Sequence, residues 1–186
     1  VWWVFKQLWD KGLIYQGYRS MHVCPRCETT LSQSEIADGY QDIKDLSCIA
    51  KFKLLPGQKI GDSAVEDNTY ILAWTTTPWT LIGNVALAVG AEIKYSKIIV
   101  DQQQYIIATE RLADVFQDQV LEIIEEYKGS QLVGLRYEPL FDAYYNQPDL
   151  VDKDNGWQVY AADFVNTEDG TGIVHIAPAF GEDDLS

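Results

Sequence analysis

Two short segments carry residue types that could hold a small polar substrate and aim a water at it. The first is Trp74-Thr75-Thr76-Thr77-Pro78-Trp79-Thr80, which follows the apolar run Tyr70-Ile71-Leu72-Ala73. Consecutive threonines ordinarily make a β-strand. Pro78 interrupts that strand and holds Thr77 in an extended or turn conformation. Four hydroxyls and two indoles are thereby gathered at a strand end, and hydroxyls both donate and accept. The second segment runs Asp169-Gly170-Thr171-Gly172-Ile173-Val174-His175-Ile176-Ala177-Pro178-Ala179-Phe180-Gly181-Glu182-Asp183-Asp184. Its glycines allow a tight entry and a close backbone approach. A short strand over 173–176 puts His175 near a strand end, and the acidic residues open the next helix. From the residues alone, His175 reads first as a packed, hydrogen-bonded side chain. The acidic trio reads equally as a solvated helix start favoured by the helix dipole.

Cys24-Pro25-Arg26-Cys27 is a third candidate. Two cysteines on such a turn can share a metal, and a closed structural zinc site needs four ligands. Cys48 sits in an apolar strand context and reads as a small buried residue. His22 is poorly placed to join the pair. Two readings stand: half of a zinc site completed by ligands outside this chain, or a pair of free thiols. A redox role is disfavoured, because no βαβ pattern surrounds the pair.

The elements that must position these residues are legible from periodicity. Residues 1–13 have helical amphipathic spacing, with Gly12 as the stop. Ser32-Gln33-Ser34-Glu35 fits a capping box. Short β-type runs follow over 49–54, 70–74, 85–89, 95–100, 105–108, 121–127, 158–164 and 172–176, separated by Gly, Asp, Asn and Pro. Residues 109–117 predict a helix capped by Thr109, and 146–157 a surface excursion. The expected class is α+β, dominated by a curved sheet or barrel. It divides into a helix and Cys-pair segment over 1–42 and a main domain over 43–186.

With 28 acidic against 14 basic residues, the net charge is −14. Such a body has no general attraction for a polyanion, since nonspecific nucleic-acid affinity comes from Lys and Arg on phosphates. A nucleic-acid substrate would be gripped only by its end. No apolar run approaches the roughly 20 residues of a membrane span. Three cysteines without a secretion signal point to a reducing, cytoplasmic compartment. The first residues read as the middle of a helix and the last as the start of another, so both ends are expected to lie within a longer polypeptide.

The segment Thr75-Thr76-Thr77-Pro78-Trp79-Thr80 resembles the threonine-rich editing motif of class I aminoacyl-tRNA synthetases for branched aliphatic amino acids, the isoleucyl form in particular. The valyl and leucyl forms typically carry Arg after two threonines, then Pro and an acidic residue; Thr77 and Trp79 stand in those places here. The Gly-Thr-Gly-x-Val-His, Ala-Pro and Gly-acidic pattern of 170–184 resembles the facing wall of the same editing pocket. The resemblance covers essentially the whole chain. It implies a β-barrel-rich editing domain that hydrolyses the ester of mischarged Val-tRNA(Ile). It further implies that Asp184 binds the substrate α-ammonium, that His175 meets the amino-acid side chain, and that Phe180 walls the pocket. Thr75, Thr76 and Thr77 are expected to orient the attacking water, with Asp184 completing the catalytic set. Trp74, Trp79 and Thr80 are expected against the substrate. No Ser-His-Asp or Cys-His arrangement is evident, so no protein nucleophile is expected.

The resemblance also sets the cofactors and partners. Editing needs none; zinc belongs to the full-length protein through Cys24 and Cys27, and ATP and Mg²⁺ to a synthetic domain absent from this chain. The partner is the acceptor end of tRNA(Ile), with most tRNA contacts supplied by the rest of the synthetase, and the isolated piece is expected to be a monomer. The competing readings are a sister editing domain (valyl or leucyl) and a non-catalytic module that binds the tRNA acceptor end.

Overall fold

The computed structural model describes residues 1–117, 119 and 121–185, with only the backbone of 182 and 183. In chain order the elements are α1 (Trp2–Asp10), β1 (Val23–Cys24), β2 (Thr29–Thr30), α2 (Gln33–Gly39), β3 (Cys48–Lys53), β4 (Lys59–Ile60), β5 (Ser63–Ala64), β6 (Thr69–Thr75), β7 (Ala86–Val89), β8 (Lys94–Val100), β9 (Gln103–Ala108), α3 (Leu112–Phe116), β10 (Glu122–Lys128), β11 (Gln158–Ala161), β12 (Ile173–Ile176) and α4 (Glu182–Leu185).

Helix α1 stops where its sequence says it should. Gly12 has a φ of 68° and its N–H bonds the Trp9 carbonyl, while Leu13 bonds back to Leu8. Only glycine takes that left-handed turn without strain. The apolar stripe of α1 has no cover among the described residues, and none of its own residues is buried. The Cys pair sits on the β1–β2 hairpin, where Cys24 pairs with Thr29. Ser32 and Glu35 then form the expected capping box at the start of α2.

Five strands make the main sheet in the order β10-β8-β9-β6-β3, antiparallel except where β6 runs parallel to β9. A second sheet has β7 at its centre, parallel to β11 and antiparallel to β12. Both sheets pour side chains into one core. Phe52, Ile71 and Ile106 come from the first, and Leu87, Val159 and Ile173 from the second. Bridges from Leu54 to Tyr137 and from Arg136 to Gln158 carry the backbone between the two sheets. The sheets wrap this core without closing into a continuous barrel among the described residues. No residue of 1–42 belongs to either apolar cluster.

The other face of the main sheet buries Leu72, Ile98, Tyr105 and Ile107 under Leu112 of α3. Burial on both faces explains why β6 and β9 read as continuous apolar runs rather than alternating ones. Two expected boundaries shift. The strand over 158–164 ends at Ala161. The helix over 109–117 divides into a 3₁₀ turn, Thr109–Arg111, and α3. Thr109 is not its cap, because its hydroxyl bonds Ser96 Oγ at 2.8 Å across the sheet. Within the excursion over 146–157, Trp157 turns inward to 4% exposure and meets Tyr145 edge-on.

Candidate active site

Strand β6 delivers Trp74 and Thr75 to its end, and Pro78 starts a 3₁₀ helix, Pro78–Gly83, that turns the chain across the sheet mouth. Strand β12 runs alongside, with His175 paired to Leu87. Between them lies a cavity of about 320 Å³, whose walls include Thr75, Thr76, Thr77 and Thr80 on one side and His175 and Asp184 on the other. The two segments meet although roughly a hundred residues of sequence separate them.

The Gly-Thr-Gly turn makes that meeting possible. The Trp74 N–H donates to Thr171 Oγ1 at 3.2 Å, and the Ala108 N–H donates to the Thr171 carbonyl at 3.0 Å. Gly170 and Gly172 both have a φ of 69°. A Cβ at Gly170 would lie 2.7 Å from the Trp74 ring, and one at Gly172 2.5 Å from the Ala108 Cβ. Close packing and backbone conformation therefore both demand glycine. Arg111 steadies the approach by donating from Nε to the Gly170 carbonyl and from its guanidinium to that of Glu168.

The threonine hydroxyls form a chain. Thr77 N–H donates to Thr75 Oγ1 at 3.0 Å, and Thr77 Oγ1 lies 3.3 Å from both Thr75 Oγ1 and Thr80 Oγ1. Thr80 donates its hydroxyl proton to the Thr77 carbonyl at 2.7 Å and sits 3.0 Å from His175 Nε2. A hydroxyl has one proton. With that proton on the carbonyl, Nε2–H of His175 must be the donor to Thr80, and Nδ1 is the bare nitrogen. Nδ1 is buried without a hydrogen-bond partner among the described residues. Burial lowers the His175 pKa below its ordinary value, and the Asp184 carboxylate opposes that shift without overcoming it. The imidazole is thus neutral at neutral pH, which suits a wall against an apolar side chain.

Asp184 is held in place by its Oδ2, which accepts the Ala177 N–H at 2.8 Å. Gly181 makes room for it, since a Cβ there would lie 3.1 Å from the Asp184 Cγ. Phe180 packs its ring against Gly83, where a Cβ would come within 2.6 Å. That contact ties the α4 approach to the 3₁₀ turn.

Of the residues singled out from sequence, Trp74, Thr75, Thr76, Thr77, Thr80, His175, Phe180 and Asp184 line this cavity. Trp79 does not. It projects from the outer side of the 3₁₀ turn and is 58% exposed. The turn after Pro78 rotates its side chain away while directing Thr80 inward. Asp183 has a side chain outside the described residues. Val174, Ala177 and Gly181 complete the lining; all three stand inside the 169–184 segment, where their small or apolar character gave no separate signal. The supporting role of Arg111 has no sequence signal.

Cys24 and Cys27 lie on their hairpin, and neither lines the cavity. The Cys27 N–H approaches Cys24 Sγ at 3.4 Å, and hydrogen bonds from the Cys27 and Arg26 backbone hold the Cys24 thiol below its ordinary pKa. A stabilised thiolate on a tight turn suits half of a tetrahedral thiolate site. No third Cys, His, Asp or Glu joins them among the described residues.

The fold is that of the synthetase editing domains. The editing domain of the P. knowlesi cytosolic leucyl-tRNA synthetase matches 75% of this chain and 59% of its own, with a TM-score of 0.53 at 17% identity. The crystal structure of GlLeuRS-CP1 matches 75% of this chain and 58% of its own, with a TM-score of 0.58 at 18% identity. The family described as tRNA synthetases class I (I, L, M and V) matches residues 1–146, and the chain belongs to that family. It is 46% identical to an isoleucine–tRNA ligase of Treponema denticola over 99% of this chain and 19% of the relative. It is 45% identical to that of Clostridium acetobutylicum over 99% of this chain and 16% of the relative. The chain thus spans less than a fifth of the length of these curated relatives. Among the described residues no helix is long and apolar enough to cross a membrane.

Proposed function

We propose that this chain is the editing domain of an isoleucine–tRNA ligase. In this reading the cavity hydrolyses the ester joining a mismatched amino acid, valine above all, to the terminal adenosine of tRNA(Ile). One observation carries the reading: a chain of threonine hydroxyls and a fixed carboxylate, Asp184, face each other across one small cavity. Isoleucine and valine differ by one methylene, and an apolar pocket rejects the smaller analogue only weakly; this amino-acid pair is the reference case for that rule. A second, hydrolytic site must accept valine and exclude isoleucine by size.

Asp184 takes the substrate α-ammonium in a charge-assisted hydrogen bond, which fixes how deep the side chain reaches. His175, held by Thr80, then stands as the neutral back wall. The hydroxyls of Thr75, Thr76 and Thr77 orient a water onto the ester carbonyl, with backbone amides assisting. An aminoacyl ester is reactive enough that position, rather than a protein nucleophile, supplies the rate. Hydrolysis in this scheme uses no cofactor. ATP and Mg²⁺ serve the synthetic part of the ligase, and the remainder of the enzyme supplies most tRNA contacts, in the cytoplasm.

The sister reading, a valyl or leucyl editing domain, is disfavoured by Thr77 and Trp79 and by the 44–46% identity to several isoleucine–tRNA ligases. The test is deacylation of Val-tRNA(Ile), with Ile-tRNA(Ile) as the excluded substrate and Thr-tRNA as the sister substrate. Asp184→Asn is the sharpest variant. Its amide oxygen can still accept the Ala177 N–H, so the fold is kept while the charge is lost. The expected result is a loss of about tenfold or more in kcat/KM for Val-tRNA(Ile). Wild-type rates in Asp184→Asn, or equal cleavage of Ile-tRNA(Ile), would remove the assignment.

A further inference from the structure

Strands β6 and β12 carry the two halves of the candidate site, yet they lie in different sheets and exchange no ladder bonds among the described residues. One side chain ties their backbones together. β6 pairs in parallel with β9 only at Thr69, Tyr70 and Ile71, although β6 runs on to Thr75 and β9 to Ala108. Beyond Ile71 both strands bond to Thr171 instead. Its carbonyl accepts the Ala108 N–H at 3.0 Å. Its Oγ1 accepts the Trp74 N–H at 3.2 Å and donates to the Ile173 carbonyl at 3.3 Å. Thr171 is buried and does not itself line the active-site cavity.

Both hydroxyl bonds fall next to residues that do line it. The Trp74 amide leads into Trp74 and Thr75, and the Ile173 carbonyl belongs to the peptide that leads into Val174 and His175. A hydroxyl suits this place because it accepts and donates at one atom. A valine of nearly the same shape can do neither. We propose that the Thr171 hydroxyl fixes the spacing between the threonine wall and the His175 wall, and that Thr171 is thereby a positioning residue for amino-acid selection. The inference rests on the function proposed above and adds to it the residue that sets the width of the cavity. Thr80 also joins the walls, through the side chain of His175. A single tie is a pivot; a second one, at the backbone, fixes the spacing. That stiffness matters because valine and isoleucine differ by one methylene. A wall that gives way by one carbon atom admits both.

The test compares the chain with Thr171→Val, Thr171→Ser and a control, Ser96→Ala. Ser96 is also a buried hydroxyl, bonded to Thr109, and neither of these two lines the cavity. Hydrolysis is measured on Val-tRNA(Ile) and Ile-tRNA(Ile), and hydrogen exchange of the Trp74 amide is followed by NMR. The expected result in Thr171→Val is a Val-to-Ile ratio of kcat/KM about tenfold lower, chiefly through faster cleavage of Ile-tRNA(Ile). Thr171→Ser and Ser96→Ala should keep the wild-type ratio. The Trp74 amide should be protected in wild type and Thr171→Ser and lose protection in Thr171→Val. An unchanged ratio in Thr171→Val, including equal losses on both esters, would overturn the proposal and leave the editing reading intact. The same fall in Ser96→Ala would show general loosening and overturn it too. A wild-type chain that cleaves neither ester would remove the editing reading. The wall tie is then decided by the amide: protection lost in Thr171→Val and kept in Thr171→Ser supports it, and unchanged protection overturns it. If Thr171→Val does not fold, the wild-type amide decides, since exchange as fast as that of an exposed amide would overturn the tie and slow exchange would support it.

Discussion

Thr80 has a single proton, and the Thr77 carbonyl takes it. The consequence is a fixed direction along the hydroxyl chain, with His175 donating into its end. Thr80→Val keeps the volume but removes both bonds and leaves a buried Nε2–H unpaired. An unsatisfied buried donor costs roughly 1–3 kcal/mol, so denaturant titration should show a loss of that size, and Thr80→Ser should recover most of it. A second expectation concerns pH. The folded His175 pKa lies below the ordinary value near 6.5 because burial opposes the imidazolium. The unfolded chain therefore takes up the proton first on acidification. The stability this residue contributes is complete above the ordinary His range and is lost as pH falls through its folded value. NMR titration of the His175 ring should give a midpoint below that of His in an unfolded peptide. A midpoint at or above it would mean that Asp184, and not burial, governs the ring.

At the scale of elements, the turn between Gly170 and Gly172 decides whether the two motif segments meet. Gly172→Ala meets two obstacles: a left-handed φ, worth about 1–2 kcal/mol, and a Cβ 2.5 Å from that of Ala108, worth roughly 1–3 kcal/mol more in a packed core. Gly57 supplies the comparison, because its φ is 83° but nothing lies within 4 Å of its missing Cβ. Thermal or urea unfolding should rank Gly172→Ala well below Gly57→Ala, with only the former losing ester hydrolysis. Much of this element structure was legible in the sequence. The eight β-type runs are strands here, because alternation, β-branched residues and Gly, Asp or Pro breaks mark them. The capping box over Ser32 and Glu35 and the stop at Gly12 are local chemistry and need no tertiary knowledge. The hairpins β1–β2 and β4–β5 were not legible, since two-residue strands have no periodicity to read. Neither was the orientation of Trp79, which is set by how far the 3₁₀ turn rotates after Pro78. Thr109 defeats its capping signal for a tertiary reason, the Ser96 hydroxyl across the sheet.

For the whole molecule the governing quantity is charge, −14 over 186 residues. Local chemistry cannot overcome it, because each phosphate brought near the surface meets more carboxylates than ammonium or guanidinium groups. In the function proposed above, affinity for RNA then depends on the small number of phosphates that reach cationic side chains, plus stacking, which salt does not screen. The slope of log K against log salt reports the number of neutralised phosphates, about 0.7 per contact for a single strand. For this chain and a 3′-ACCA strand the slope should lie between roughly 0 and −1.5. A full duplex added to the strand should bring no gain in affinity, since acidic residues outnumber basic ones 28 to 14. A steeper slope, or a large gain from the duplex, would mean that lysines such as Lys94 or Lys128 form a cationic track. A shallow slope places the burden of tRNA affinity on the more than four-fifths of the curated relatives' length that this chain does not span. In that arrangement the proposed editing cavity contributes selection of the amino acid and almost none of the grip on the nucleic acid.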